Sequence, residues 1–173
     1  MGYPSTVDSG GVPELITTDE VISVTGVATS TLTGNTVYLY AFKLSAPTTY
    51  SGAKWRMGAT VTGTTDIGIY DFATGTKQAS LGATTNVAST NMSANFSGGN
   101  IQLSAGQYFM AMTVSNSTDT PVTNAVSNPG IQSYMRQATN AASAGVLPST
   151  LGGYSDTPAR FPSFGLTVVG GLT

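Results

Sequence analysis

From residue 21 onward, apolar and polar residues alternate in short runs separated by Gly, Asn, Ser and Thr. Strands place successive side chains on opposite faces, so runs of this length and period predict strands. Eight are expected, over 21–29, 35–46, 54–62, 65–72, 76–82, 91–97, 100–115 and 164–170. Short strands joined by turn residues predict an antiparallel sandwich or barrel.

The alternation also assigns faces. In 35–46, Tyr38, Tyr40, Phe42 and Leu44 share one side and Val37, Leu39, Ala41 and Lys43 the other. Both sides are largely apolar, which predicts a central strand covered on both faces. In 54–62, Trp55, Met57, Ala59 and Val61 alternate with polar residues and glycine, the pattern of a half-buried strand with Trp55 in the core. In 105–115, Tyr108, Met110, Met112 and Val114 oppose Phe109, Ala111 and Thr113, and the Ala105-Gly106 step reads as the turn feeding this strand.

Two regions depart from the pattern. Residues 1–20 hold Asp8, Glu14, Asp19 and Glu20 with Pro4 and Pro13, and have neither period. They are expected to form an extended arm, with Tyr3, Val7, Val12, Leu15 and Ile16 spaced to dock on a neighbouring subunit. Between about 116 and 160 the pattern lapses into turn-rich sequence: 132–145 is compatible with one short helix, and Pro148, Pro158 and Pro162 bar regular helix beyond it. An insertion of this length is either a loop folded over the sandwich or a contact surface. The expected organisation is thus an arm over 1–20 and a single domain over 21–173 with a loop-rich insertion.

Composition narrows the chemistry. Six basic and eight acidic residues leave a net charge of -2, with no basic field for a polyanion. Residues 1–20 lack the basic start and apolar run of a signal peptide, and no apolar stretch approaches the roughly 20 residues that cross a bilayer. Neither nucleic acid nor membrane is expected as a partner. The chain has no cysteine and no histidine. That removes thiolate nucleophiles, the commonest general base and the commonest transition-metal ligand together.

The remaining candidates are carboxylates. Asp66 and Asp71 bracket a strand, but five residues apart they point to opposite faces and do not converge on one substrate. Structural roles are expected instead: Asp71 accepting N–H groups of the turn that ends at Gly75, and Asp66 standing at the strand's start. Pairing of Asp71 with Asp119 or Asp156 stays open, with nothing in the spacing to recommend it. No loop carries more than one acid, so calcium ligation is not expected. No catalytic residue, metal or cofactor is assigned. The acceptor triplets at Asn91, Asn95 and Asn116 are of the kind that arises by chance in Asn-, Ser- and Thr-rich sequence. Aromatic rings on a β surface can stack on sugars, and Tyr50, Tyr134 and Tyr154 lie in loop-like sequence, which makes them the candidate glycan contacts.

TTDIGIYDFATGTKQASLG, followed by IQLSAGQYFMAMTVS and closed by RFPSFGLTVV, resembles a β-sandwich module of tailed-bacteriophage structural proteins. There, a D-x-G-I-Y-D strand pairs with a later L-x-x-G-x-Y-aromatic-x-A strand, here Leu103 to Ala111. The resemblance covers roughly residues 20–115 and the last ten. It implies an all-β, antiparallel jelly-roll-like β-sandwich of about eight strands with an extended N-terminal arm. It further implies a non-enzymatic virion surface component, either a capsid decoration (cement) protein or the head of a fibre, working as a homotrimer on the major capsid protein or another virion protein. The long repetitive shaft of a fibre is missing, which favours decoration. A carbohydrate-binding module for a host surface glycan is the expectation from a different class.

Overall fold

The computed structural model describes residues 28–125, 135–155 and 160–170, and among these it contains strands and turns with no helix. Strands are numbered along the chain. One sheet has seven: β2 (Tyr38–Leu44), β4 (Thr64–Asp71), β5 (Lys77–Ser80), β6 (Thr84–Thr85), β9 (Gly106–Val114), β11 (Met135–Ala138) and β12 (Tyr154–Ser155). A second has four: β3 (Thr48–Arg56), β7 (Asn91–Asn95), β8 (Ile101–Leu103) and β14 (Phe164–Val168). A third, small sheet joins β1 (Ala28–Thr29), β10 (Val122–Ala125) and β13 (Arg160–Pro162). All pairings among them are antiparallel.

The seven-stranded sheet runs β12-β11-β2-β9-β4-β5, with β6 also against β4. Its inner face gives Phe42, Ile67, Ile69, Met110 and Met112 to a core completed by Trp55, Phe96, Leu103 and Phe164 from the four-stranded side. The fold is therefore an all-β antiparallel sandwich, the class expected from the alternation. The outer face buries Val37, Leu39, Tyr70, Phe109 and Ala111 beneath Ala142, Leu147 and Leu151. β2 is central and covered on both sides, as its two apolar faces require. The face assignment of 105–115 also holds, with Met110 and Met112 inward and Phe109 and Ala111 outward.

Three expectations need correction. The strand placed at 54–62 instead spans Thr48–Arg56. Its partner strand shifts register between Thr167 and Val168, where Gly52 faces Thr167 and Tyr50 faces Val168, leaving Ser51 as a bulge. A bulge inverts the alternation, so Tyr50 and Trp55 both point inward although five residues separate them. Beside the bulge, Gly52 is required by close approach, since a Cβ there would run into the Ala94 carbonyl oxygen. Beyond Arg56 the chain leaves the sheet, with Met57 bridging Pro121.

The possible helix in 132–145 is also absent from its described part, where Met135–Ala138 pairs with Tyr38–Tyr40. Met, Arg, Gln and Ala favour helix locally, but an unfilled edge of β2 offers ladder hydrogen bonds and burial that outweigh a few tenths of a kcal/mol of propensity per residue. The 116–160 region is likewise less loose than its composition suggests, since it supplies β10, β11 and β12, and 139–153 folds over the outer face. Tyr3, Val7, Val12, Leu15, Ile16, Tyr134 and Asp156 lie outside the described residues.

Gly52→Ala should lower stability by about 1–3 kcal/mol, because its new methyl meets backbone that must move. Gly98→Ala, with nothing within 4 Å of the new atom, serves as the neutral control. Urea unfolding of both variants checks this, and equal midpoints would show that the bulge relaxes freely.

Candidate functional site

Asp66 stands in β4 directly opposite Thr113 of β9, on the outer face and fully buried. Its Oδ1 accepts the Gly82 N–H at 2.9 Å and its Oδ2 accepts the Leu147 N–H at 2.9 Å. Lys77 reaches the same loop residue from β5, its Nζ donating to the Leu147 carbonyl at 2.8 Å. Tyr70, four residues along β4, donates its hydroxyl to the Pro148 carbonyl at 2.6 Å. The group expected to mark a strand's start thus fastens the covering loop to the sheet. Burial pushes the Asp66 carboxyl above the usual carboxylate range, opposed by the Leu147 N–H, the Lys77 charge, and the Gly82 and Ser80 hydrogen bonds.

Asp71 ends the same strand, opposite Tyr108. Tyr108 belongs to the inner core and Thr113 to the outer side of β9, so the two acids do point to opposite faces. Asp71 Oδ1 accepts the Thr74 N–H and hydroxyl, both at 2.8 Å, and Gly75 closes the turn at φ 66° with its N–H on the Asp71 carbonyl. These bonds hold the Asp71 carboxyl below its ordinary range, the Thr74 N–H acting most strongly. The turn role expected of Asp71 is the one observed.

Asp119 is buried at the opposite end of β4, where it accepts the Thr62 and Gly63 N–H groups at 2.6 and 3.1 Å and the Asn86 side-chain amide at 2.7 Å. Asn116 shapes that turn, its Oδ1 accepting the Thr118 and Asp119 N–H groups at 3.0 Å. Asp71 and Asp119 sit at the two ends of β4, roughly 23 Å apart at 3.3 Å per residue. They do not form an acid pair. Among the described residues, no three His, Cys, Asp or Glu gather in a metal-binding group.

The candidate glycan tyrosines separate. Tyr50 is not in a loop: it lies in β3, fully buried, with its hydroxyl pushed up to about 12 by burial and, secondarily, by Tyr108. It is not placed to touch a ligand. Tyr154 is 42% exposed and meets Phe109 at a centroid distance of 4.9 Å. Phe72 lies against the other ring of that pair, 4.7 Å from Phe109 and nearly parallel to it. Phe72 and Phe109 are 37 positions apart, and only the β4–β9 register, continued by the Phe72 N–H on the Gln107 carbonyl, brings them together. An open groove of about 390 Å³ lies between β5 and the turn joining β7 to β8. Lys77 is the one ionisable residue along it, and its ammonium is already bound to Leu147.

Comparison with protein-family models, curated proteins and solved structures gives no match.

The buried carboxylate sets a pH dependence whose sign can be worked out. Asp66 has a folded pKa above its unfolded value of about 3.9, so its share of stability is full below that value and is lost as pH rises through the folded one. Asp71 is depressed, so its share is present above about 3.9 and lost as pH falls through its folded value. Lowering pH from 7 toward about 4 should therefore raise the stability of the wild type relative to Asp66→Asn. Urea unfolding across this range checks it; parallel pH profiles for the two proteins would refute the raised pKa. Asp71→Asn should cost about 1 kcal/mol at pH 7 through the weakened turn.

Proposed function

We propose that this chain is a non-enzymatic structural protein of a tailed-phage particle surface, a capsid decoration protein that binds the shell as a homotrimer through residues 1–20. The observation that supports it best is how the carboxylates are used. Asp66, Asp71 and Asp119 each accept backbone N–H groups, and they lie on opposite faces or at opposite ends of one strand. In a chain without histidine or cysteine, this leaves no described acid arranged for proton transfer to a substrate. The strand sequences of β4, β9 and β14, which resemble the phage sandwich module, supply the particle. The head of a short fibre or tail appendage is the alternative within the same class.

Decoration works by burying interface across shell subunits, and three arms per trimer multiply weak contacts through effective concentration. A sandwich whose central sheet is already covered on both faces suits this role, since it can fold before it meets the particle. The attachment residues on this reading are Tyr3, Val7, Val12, Leu15 and Ile16.

Light scattering should give three times the 17.6 kDa chain mass, and antibody to the chain should mark the head fractions of a phage carrying the gene. Deleting residues 1–17 should abolish head binding and leave the unfolding midpoint unchanged. A monomer found on neither heads nor tails would overturn the reading, and undiminished binding after deletion would remove the arm's role.

A further inference from the structure

The four-stranded sheet ends on β7, and among the described residues that border is open. β7 pairs with β3 on one side, and no described strand lies beyond it. The Met57 N–H binds the Thr90 carbonyl and the Phe96 N–H binds the Ser51 carbonyl, so the even-numbered residues of this stretch turn their backbone groups to β3. Alternation then turns the N–H and C=O groups of Asn91, Ser93 and Asn95 outward. All three residues are exposed. β7 carries no charge, no proline and no bulge, the devices that protect a border strand.

The surface beside this border is cationic. Lys54 and Arg56 alternate with the inward Ala53 and Trp55, so they lie on the outer face of the sheet, opposite Ser93 and Asn91. Arg56 is exposed. The acids are distributed the other way. Residues 1–27 hold Asp8, Glu14, Asp19 and Glu20 and no basic side chain, while all six basic residues lie at or after Lys43. Asp66, Asp71 and Asp119 are engaged by backbone N–H groups. The described chain also begins beside this border. Thr29 packs on Gly58, and the Ser30 N–H binds the carbonyl of Pro121, the residue that Met57 bridges. Glu20 precedes Ala28 by a chain length of up to about 26 Å, which spans several strand spacings.

We propose that residues 14–20 of the same chain, ELITTDE, add to β7 as an antiparallel border strand. Antiparallel to β7, this segment runs from Asn95 toward Asn91 and brings Asp19 and Glu20 to the Arg56 end, from which the chain continues to Ala28. Ile16, Thr17 and Thr18 favour extended backbone. Adjacent residues of a strand point to opposite faces, so one of Asp19 and Glu20 faces the Lys54 and Arg56 side in any register. The added strand lies two spacings, roughly 10 Å, from β3, a gap that long paired side chains bridge over the small Ser93. The docking needs no particle and stands independently of the decoration reading. Under that reading, a shell that takes the arm competes with β7 for it.

Carbodiimide coupling of the free full-length protein, read by peptide mass spectrometry, should join Lys54 to Asp19 or Glu20, and about 1 M salt should suppress the product. Isotope-labelled and unlabelled chains refolded together should give this link within single chains. Hydrogen exchange reads the border directly, because local opening is not visible in a global unfolding midpoint. The outward amides of Asn91, Ser93 and Asn95 should exchange roughly tenfold faster in the double variant Asp19→Lys with Glu20→Lys. Adding Lys54→Glu and Arg56→Glu to that variant should restore the slow exchange. The Met92 and Ala94 amides, bonded to β3, should stay protected throughout, which separates lost docking from lost fold. Equal exchange in wild type and the arm variant, coupling of Lys54 to other carboxylates alone, or coupling between copies would overturn the proposal. Head binding is measured on particles, so either reading can fail without the other.

Discussion

A sheet that is apolar on both faces must be covered twice, and most of this molecule follows from that requirement. β2, β4 and β9 carry large side chains toward the four-stranded sheet and a second set away from it. The sandwich partner satisfies only the first set. The second is satisfied by a segment with almost no secondary structure, the 139–153 loop, which brings Ala142, Leu147 and Leu151 down onto Val37, Leu39, Tyr70 and Ala111. Fully burying a leucine is worth about 1.5–3 kcal/mol, so the two loop leucines contribute on the scale of a small domain's net stability.

An irregular loop laid on a sheet brings backbone groups into a dry layer, and each needs a partner. The sheet supplies them with side chains that would otherwise be out of place on an apolar face. Asp66 takes the Leu147 N–H, Lys77 binds the Leu147 carbonyl and Tyr70 the Pro148 carbonyl. Burying Asp66 costs desolvation, visible in its raised pKa, and the cost is offset by placing two otherwise unpaired N–H groups on one carboxylate. Asp119 does the same for the turn that leads into β4. Among the described residues, Asp66, Asp71, Asp119 and Lys77 all bind backbone groups.

How much of this the sequence discloses depends on the range of the interaction. Alternation along Tyr38–Leu44 and Gly106–Val114 places their faces correctly, because period is a local property. The turn at Asp71 to Gly75 is legible for the same reason. Tyr50 reads as a loop residue because the bulge at Ser51 disguises the strand, and a bulge exists only relative to a partner. Met135–Ala138 reads as helix because the edge of β2 that captures it is 95 positions away in sequence at Met135 and Tyr40. Asp66 looks like a strand edge since its partners at Gly82 and Leu147 lie 16 and 81 positions off. The Phe72–Phe109–Tyr154 cluster has no local signature at all, being a product of register.

The covering loop has one more effect, on the rim of the sheet. β5 is a border strand, and border strands present backbone groups to which the strand of another molecule can add. Here the Lys77 N–H is taken by the Ser149 carbonyl, and the Ser80 carbonyl accepts the Ser97 N–H and hydroxyl. Thr76 is bridged to Thr150, and the Gly75 carbonyl accepts the Leu151 N–H. The segment that dries the outer face, together with the Ser97 turn, thus blunts this border against sheet-to-sheet growth, a protection against aggregation that a chain with so few charges does not obtain from electrostatic repulsion.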